Sequence, residues 1–277
     1  MSEEIVAPSD ARCANCGAVL HGPFCAMCGQ ADKPLDPPVR HFAKEFTQEL
    51  LDVDGRVPRS FRRLFFSPGF LTREYLAGRR IPWLTPLRMY LIASVAMFGV
   101  LAMVGDSGGV ELRFTGNSRE IAEKVRSIGF ANEAEMRAAI DAARQAWMPR
   151  VMFVLVPFFA WMIALVRRGD GRRFPAHFVF ALEVHAAAFG VRAVSEAIAW
   201  VSPAPVARAL DTLADVYLVV YIFMALRTAY GGTRWRALRD TAVVTVAYTV
   251  ALIAGTGLVV GATVLVRWWF GRGVVGP

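Results

Sequence analysis

Polar and apolar positions segregate over long distances in this chain. From residue 87 onward, five apolar runs (87–104, 150–166, 177–201, 208–226 and 241–270) alternate with polar links. About 20 apolar residues cross a hydrocarbon core, so each run predicts a membrane-spanning helix. Pro157 is placed to kink the second. The third and fourth carry ionisable residues, which favours burial between helices over a lipid-facing position. Ahead of the spans, residues 37–86 show a shorter amphipathic pattern. Phe42, Phe46 and Leu50 recur on one helical face, and Gly55 and Pro58 end it. Ser67-Pro68 reads as an N-cap with a first-turn proline, and Gly78 as a C′ residue, predicting a second helix Pro68–Ala77. In 106–148, Asn117 with Glu120 and Asn132 with Glu135 read as capping boxes or variants of them. With Gly129 as a stop, they predict a lobe of two short helices.

Composition agrees with this pattern. Of 277 residues 55% are hydrophobic, and the mean hydropathy is +0.40. These values exclude an ordinary soluble domain, disorder and collagen-like repeats. With four cysteines in the chain, a disulfide scaffold is excluded as well. Residues 1–40 hold no apolar signal-peptide core. The net charge of +8 is unevenly spread. Arg167, Arg168, Arg172 and Arg173 crowd one link, and Arg227, Arg234, Arg236 and Arg239 another, whereas 106–148 has no basic excess. The positive-inside rule then places the N-terminus and both Arg-rich links in the cytoplasm and the C-terminus outside. Residues 40–88 also interleave Arg59, Arg62, Arg63, Arg79 and Arg80 with phenylalanines. Basic amphipathic helices beside a span favour anionic phospholipid headgroups. Nucleic-acid binding is the less favoured use of the same charges.

The four cysteines lie together in CANCGAVLHGPFCAMCGQ: Cys13, Cys16, Cys25 and Cys28. Two CxxC turns can deliver four thiolates to one tetrahedral zinc. Gly17 and Gly29 follow each pair and permit the positive φ such a knuckle uses. Two disulfides or a redox CxxC are the alternatives. No thioredoxin-like unit surrounds the motif, and a cytosolic location disfavours disulfides. One structural zinc with a closed shell is therefore expected, without catalysis at the ion.

The ribbon, then FFSPGFLTREYLAGRRIPWLTPLRMYL, HFVFALEVHA and YLVVYIFMALRTAYGG, together resemble an uncharacterised family of bacterial membrane proteins carrying a domain-of-unknown-function label. Its members join an N-terminal zinc ribbon to several transmembrane helices. The resemblance runs from Cys13 to about Tyr230. It implies zinc at the four cysteines and a bacterial inner-membrane location, and no activity. Where members often carry His in the third span, this chain has Glu183, so the resemblance brings no metal site there.

The fold expected is an all-α multi-pass bundle of about five transmembrane helices with a small ribbon. Its parts are 1–36 (ribbon), 37–86 (basic juxtamembrane helices) and 87–270 (bundle). Within the third span His185, Arg192 and Glu196 fall within about 40° of one another, with Glu183 nearly opposite. The fourth span carries Asp211 and Asp215. Counted from the 201–207 link, Arg192 and Asp215 both lie roughly 13 Å deep, so they are expected to pair. That group is either interhelical polar glue or a candidate intramembrane site. No nucleotide loop, HExxH or GxSxG motif is present. Three functions follow. The favoured one is a protein-recruiting or scaffolding module at the membrane. A transporter or channel built on the charged group comes second, and a lipid-modifying enzyme using Glu183 or His185 third.

Overall fold

The computed structural model describes residues 11–32, 55–104 and 117–271. The predicted helix on Phe42, Phe46 and Leu50 lies outside them. The described residues form an all-α bundle with a four-cysteine ribbon at its N-terminal end, and five of its helices are long and apolar enough to cross a membrane. In chain order the helices are α1 (Arg56–Phe66), α2 (Phe70–Leu76), α3 (Pro86–Val104), α4 (Ser118–Ser127), α5 (Glu133–Val166), α6 (Phe174–Trp200), α7 (Ala204–Tyr230) and α8 (Arg234–Gly271). The five long ones are α3 and α5 to α8.

Helix α6 is the axis of the bundle. In its most apolar window 67% of residues are buried, against 0% in the corresponding window of α8. Ala181, Ala186, Ala187, Gly190 and Ala193 keep it slim, and small residues let neighbouring backbones approach closely. Helices α3, α5 and α7 pack around it, as do α1 and α2. Aromatic rings fill the spaces between. Phe189 lies 5.6 Å from Tyr90 and 5.8 Å from Phe98 of α3. Phe159 of α5 meets Tyr248 of α8 edge-on at 5.3 Å.

The expected lobe of two short helices is only half realised. Asn117 caps α4 by accepting from Arg119 and Glu120 N–H, and Gly129 follows its end at φ 91. The second helix does not stop. It starts at Asn132, whose side chain accepts from Glu135 N–H, and continues through Pro149 and Pro157 to Val166 as the 34-residue α5. What holds its first turns is the far end of α8. Val125, Phe130, Met136 and Ile140 pack with Val260 and Val264, and Arg267 bonds Glu135 at 2.8 Å while lying over the Phe130 ring. Tertiary contact thus extends a helix whose polar first half promised no continuation.

The second correction concerns the basic segment. Ser67 does not cap α2. It closes α1, its N–H bonded to Arg63 O, and α2 begins after Gly69, which has φ 75. A Cβ on Gly69 would stand 2.4 Å from the carbonyl oxygen of Ala225 on α7. The turn therefore needs glycine both for its dihedral and for contact. Gly78 ends the helix as expected, at φ 81.

Helices α1 and α2 form a hairpin that enters the bundle between α6 and α7. At its foot, Ser60 Oγ accepts from Leu84 N–H at 3.0 Å, just before α3. At its tip, the Phe65 ring fills the notch at Gly190 of α6, and Phe65 O accepts from Tyr217 Oη of α7 at 2.6 Å. Gly190 is 16 residues beyond Phe174, about 24 Å along α6 at 1.5 Å per residue. The returning helix places Thr72 beside Glu183 and Tyr75 beside Val179.

Candidate metal centre and polar sites

Two knuckles with one hydrogen-bond pattern build the cysteine site. Cys13 N–H bonds Ala18 O and Gly17 N–H bonds Cys13 O, each at 2.8 Å. Twelve residues later Cys25 N–H bonds Gln30 O and Gly29 N–H bonds Cys25 O at the same distance. Gly17 and Gly29 both have positive φ, 78 and 73, as their position after each CxxC predicts. Single antiparallel bridges, Arg12–Val19 and Phe24–Ala31, close the knuckles.

The four sulfurs all lie within 4.8 Å of one another. Cys13 and Cys28 are 3.6 Å apart, and Cys16 and Cys25 are 3.5 Å apart. A tetrahedral ion with metal–sulfur bonds of about 2.3 Å separates its sulfurs by about 3.8 Å. These spacings fit that shell, whereas disulfide sulfurs stand about 2 Å apart. Cys13 and Cys25 are buried. Backbone N–H groups of Cys28 and Met27 face the Cys25 sulfur and pull its thiol down to about 7. The four cysteines can hold one metal ion and would leave no ligand position open.

The ribbon docks on the hairpin. Gln30 Nε2 donates to Gly78 O at 2.8 Å, and its Oε1 accepts from Arg80 N–H at 3.3 Å. One amide side chain thus meets the backbone just past α2. Nothing in the spacing of the cysteines marks Gln30, and sequence reasoning missed it. Among the other basic residues named from sequence, Arg79 pairs with Glu74 at 2.6 Å and holds that carboxyl below its ordinary range. Arg80 lies over the Tyr75 ring at 4.3 Å. Arg59 and Arg63 lie over Trp83 and Phe70, and Arg62 is exposed beside them.

The intramembrane group divides. Arg192 bonds Asp215 and lies 3.6 Å from Asp211, so the equal depth counted from the link brings these charges together. Glu196 is buried on α6, one turn nearer Trp200. His185 faces other neighbours. Its Nε2 shares a 2.8 Å hydrogen bond with Tyr248 Oη of α8, and its Nδ1 lies 2.8 Å from Ala181 O. His185 and Arg192 leave α6 in nearly the same direction but are about 10 Å apart along it. At the level of His185 that face meets Tyr248 of α8, and at the level of Arg192 it meets Asp215 of α7.

Two buried polar contacts were not visible beforehand. Thr72 Oγ1 donates to Glu183 Oε2 at 2.5 Å, tying the hairpin to the axial helix. Among the described residues the other Glu183 oxygen has no hydrogen-bond partner, and the Thr72 backbone N–H also faces the carboxyl. Thr72→Val should remove the hydroxyl donor while keeping the backbone one, and cost about 0.5–1.5 kcal/mol, the net contribution of one hydrogen bond. Thermal unfolding in detergent, against Thr72→Ser, checks this. Equal melting of Val and Ser variants would disprove it.

The second is a charge network at the ribbon end. Arg167, fully buried after α5, meets Asp240 of α8 at 2.8 Å and Asp170 at 3.6 Å. Arg236 bonds Asp170 and Arg239 bonds Asp240, each at 2.7 Å. Arg167 also lies over the ring of Tyr230, whose hydroxyl is 2.9 Å from His177 Nδ1. Read as sequence, these arginines count only toward topology. The structure turns part of that positive charge inward.

Residues 54–98 match the model of a family described as "Protein of unknown function (DUF3667)". The match covers α1, α2 and most of α3, so it contains the hairpin and lies outside the cysteines. No curated protein and no solved structure matches the chain.

Proposed function

We propose that this chain is an integral membrane protein whose ribbon holds one structural zinc and recruits a protein partner to the bilayer. The observation that carries the reading is the ribbon's outer surface. Val19, Phe24 and Met27 are exposed, the last two at 65% and 79%, on a unit tied to the hairpin through Gln30. Apolar side chains gathered on so small a unit mark a contact surface. Four thiolates at tetrahedral spacing favour zinc among common divalent ions. The closed shell argues for structure rather than catalysis.

The arginine distribution supports an orientation with the ribbon and the Arg167 network on the cytoplasmic side and the α4 lobe outside, and the family resemblance suggests a bacterial inner membrane. In this reading the ribbon, the basic hairpin and the bundle are successive parts, and the hairpin faces the anionic cytoplasmic leaflet. The second reading, a transporter or channel, draws on the partly exposed Arg192–Asp215 pair.

Phe24→Ser/Met27→Ser should keep zinc and membrane insertion but lose ribbon-dependent partners in pull-downs from crosslinked membranes. An unchanged partner set at unchanged zinc content would reject recruitment through this face. Proton or ion flux in liposomes that disappears on Arg192→Gln/Asp215→Asn would favour the second reading.

A further inference from the structure

Three arginines on α1 have no counter-ion among the described residues. Arg59, Arg62 and Arg63 lie at i, i+3 and i+4, on one face of the helix, and with Phe66 and Trp83 they line a groove of about 620 Å³. Arg59 stands 5.9 Å from the Trp83 ring centre and Arg63 4.8 Å from that of Phe70. These ring contacts orient the guanidinium groups but bring no negative charge. Among the described residues no carboxylate pairs with any of the three. Other arginines differ: Arg79, Arg167, Arg236 and Arg239 each bond an acid.

The fold carries the tip of this helix, just after the arginines, below the expected headgroup level. The 27 residues of α6 span about 40 Å, roughly 10 Å more than a hydrocarbon core. If that whole excess projects from the Phe174 end, Gly190 still lies about 14 Å inside. The Phe65 ring reaches Gly190, and Arg62 and Arg63 are in the turn just before. At the groove's rim Phe66 is 81% exposed. The exposed guanidinium groups lie between that tip and the Phe174 end, where an anionic headgroup can meet them.

We propose that this groove is a discrete binding site for one anionic phospholipid of the adjoining leaflet. Its phosphate would be held by Arg59, Arg62 and Arg63, and an acyl chain would lie along Phe66. The planar guanidinium matches phosphate oxygens in a two-pronged way that a lysine ammonium does not. The exposed phenylalanine and the depth beside α6 select a lipid over free phosphate or a nucleic-acid duplex. The inference deepens the membrane reading above and rests on it, but not on the ribbon's partner.

The test uses the full-length protein in nanodiscs of phosphatidylcholine with about 20 mol% phosphatidylglycerol, a simple anionic leaflet. Retained lipid is counted by native mass spectrometry after release into detergent. Wild type should keep phosphatidylglycerol in preference to phosphatidylcholine. Arg59→Gln/Arg62→Gln/Arg63→Gln should lower that retention at least about tenfold, since several charge-assisted bonds are lost. The triple Lys variant should fall between, and Cys13→Ser/Cys16→Ser should retain lipid like wild type. Equal retention of the two lipids, or no loss in the Gln variant, overturns the site. Displacement of the lipid by millimolar inorganic phosphate would show a free-anion site and overturn the lipid assignment. Should the Gln variant misfold, a photoactivatable phosphatidylglycerol on wild type decides. Crosslinks within 58–83 support the groove, and crosslinks only elsewhere reject it. A protein soluble without detergent would remove the membrane reading itself, an outcome distinct from equal lipid retention.

Discussion

Cys13→Ser/Cys16→Ser should lower bound metal from about one ion per chain to about zero and unfold the ribbon while the bundle stays folded. The ribbon has almost nothing else to hold it. Its buried residues are Cys13, Leu20 and Cys25, with Ala18 and Cys28 packed alongside, so three of its five packed side chains are themselves candidate ligands. Ordering a residue's backbone costs about 1–2 kcal/mol, and a few short apolar contacts cannot offset that over twenty residues. Zinc bound to finger-sized peptides supplies roughly 10–16 kcal/mol at neutral pH, enough to reverse the balance. Metal analysis of the purified protein and the rate of tryptic cleavage after Arg12 measure the two halves of the expectation. The Gln30 bonds to Gly78 and Arg80 should be lost together with the ribbon fold. Metal-free wild type, or cleavage at the same rate in the variant, would refute the zinc assignment. The five long helices bury their own core around α6, and their melting should shift little.

Asp240→Ala should be the most destabilising single change at the ribbon end, by about 3–5 kcal/mol. Both side chains of the Arg167–Asp240 pair have 0% exposure. Removing the carboxylate leaves Arg167 buried, with Asp170 at 3.6 Å as its remaining acid. Arg239 loses its partner too, but it is largely exposed and water can replace the bond. The pair as a whole contributes far less than either deletion suggests, because two charges had to leave water to form it. Arg167→Met/Asp240→Leu should therefore recover most of the loss, since it removes both charges and keeps volume. Thermal unfolding of the two single variants and the double variant in one detergent completes the cycle. A loss under about 1 kcal/mol for Asp240→Ala, the size expected of an exposed pair, would mean that solvent reaches Arg167.

These two sites differ in how far they could be read beforehand. The cysteine centre is local: all four candidate ligands fall within sixteen residues, and chain geometry over that range is set by the CxxC turns and their glycines. The Arg167 network joins residues more than seventy positions apart. A sequence shows each of its arginines as one more charge in a basic link. The hairpin belongs between the two cases. Its second helix and Gly78 stop are written in local pattern, whereas its first, Arg56–Phe66, starts where Gly55 and Pro58 predict a break, and its place between α6 and α7 depends on Gly69 and Gly190 meeting Ala225 and Phe65.

By itself the sequence determined what depends on near neighbours and on total apolar length. The five long apolar helices, the two asparagine caps, the cysteine knuckles and the shared depth of Arg192 and Asp215 all follow from periodicity, turn chemistry and a fixed rise per residue. Only the tertiary structure decided which helix stands opposite which. It joined α5 into one helix through the lobe, set His185 against Tyr248 rather than Arg192, seated Thr72 on Glu183 and turned Arg167 inward onto Asp240. The physical reason is that helix–helix packing in a bundle rests on shape, small residues and a few polar contacts between distant segments. None of these leaves a periodic trace along a single strand of text.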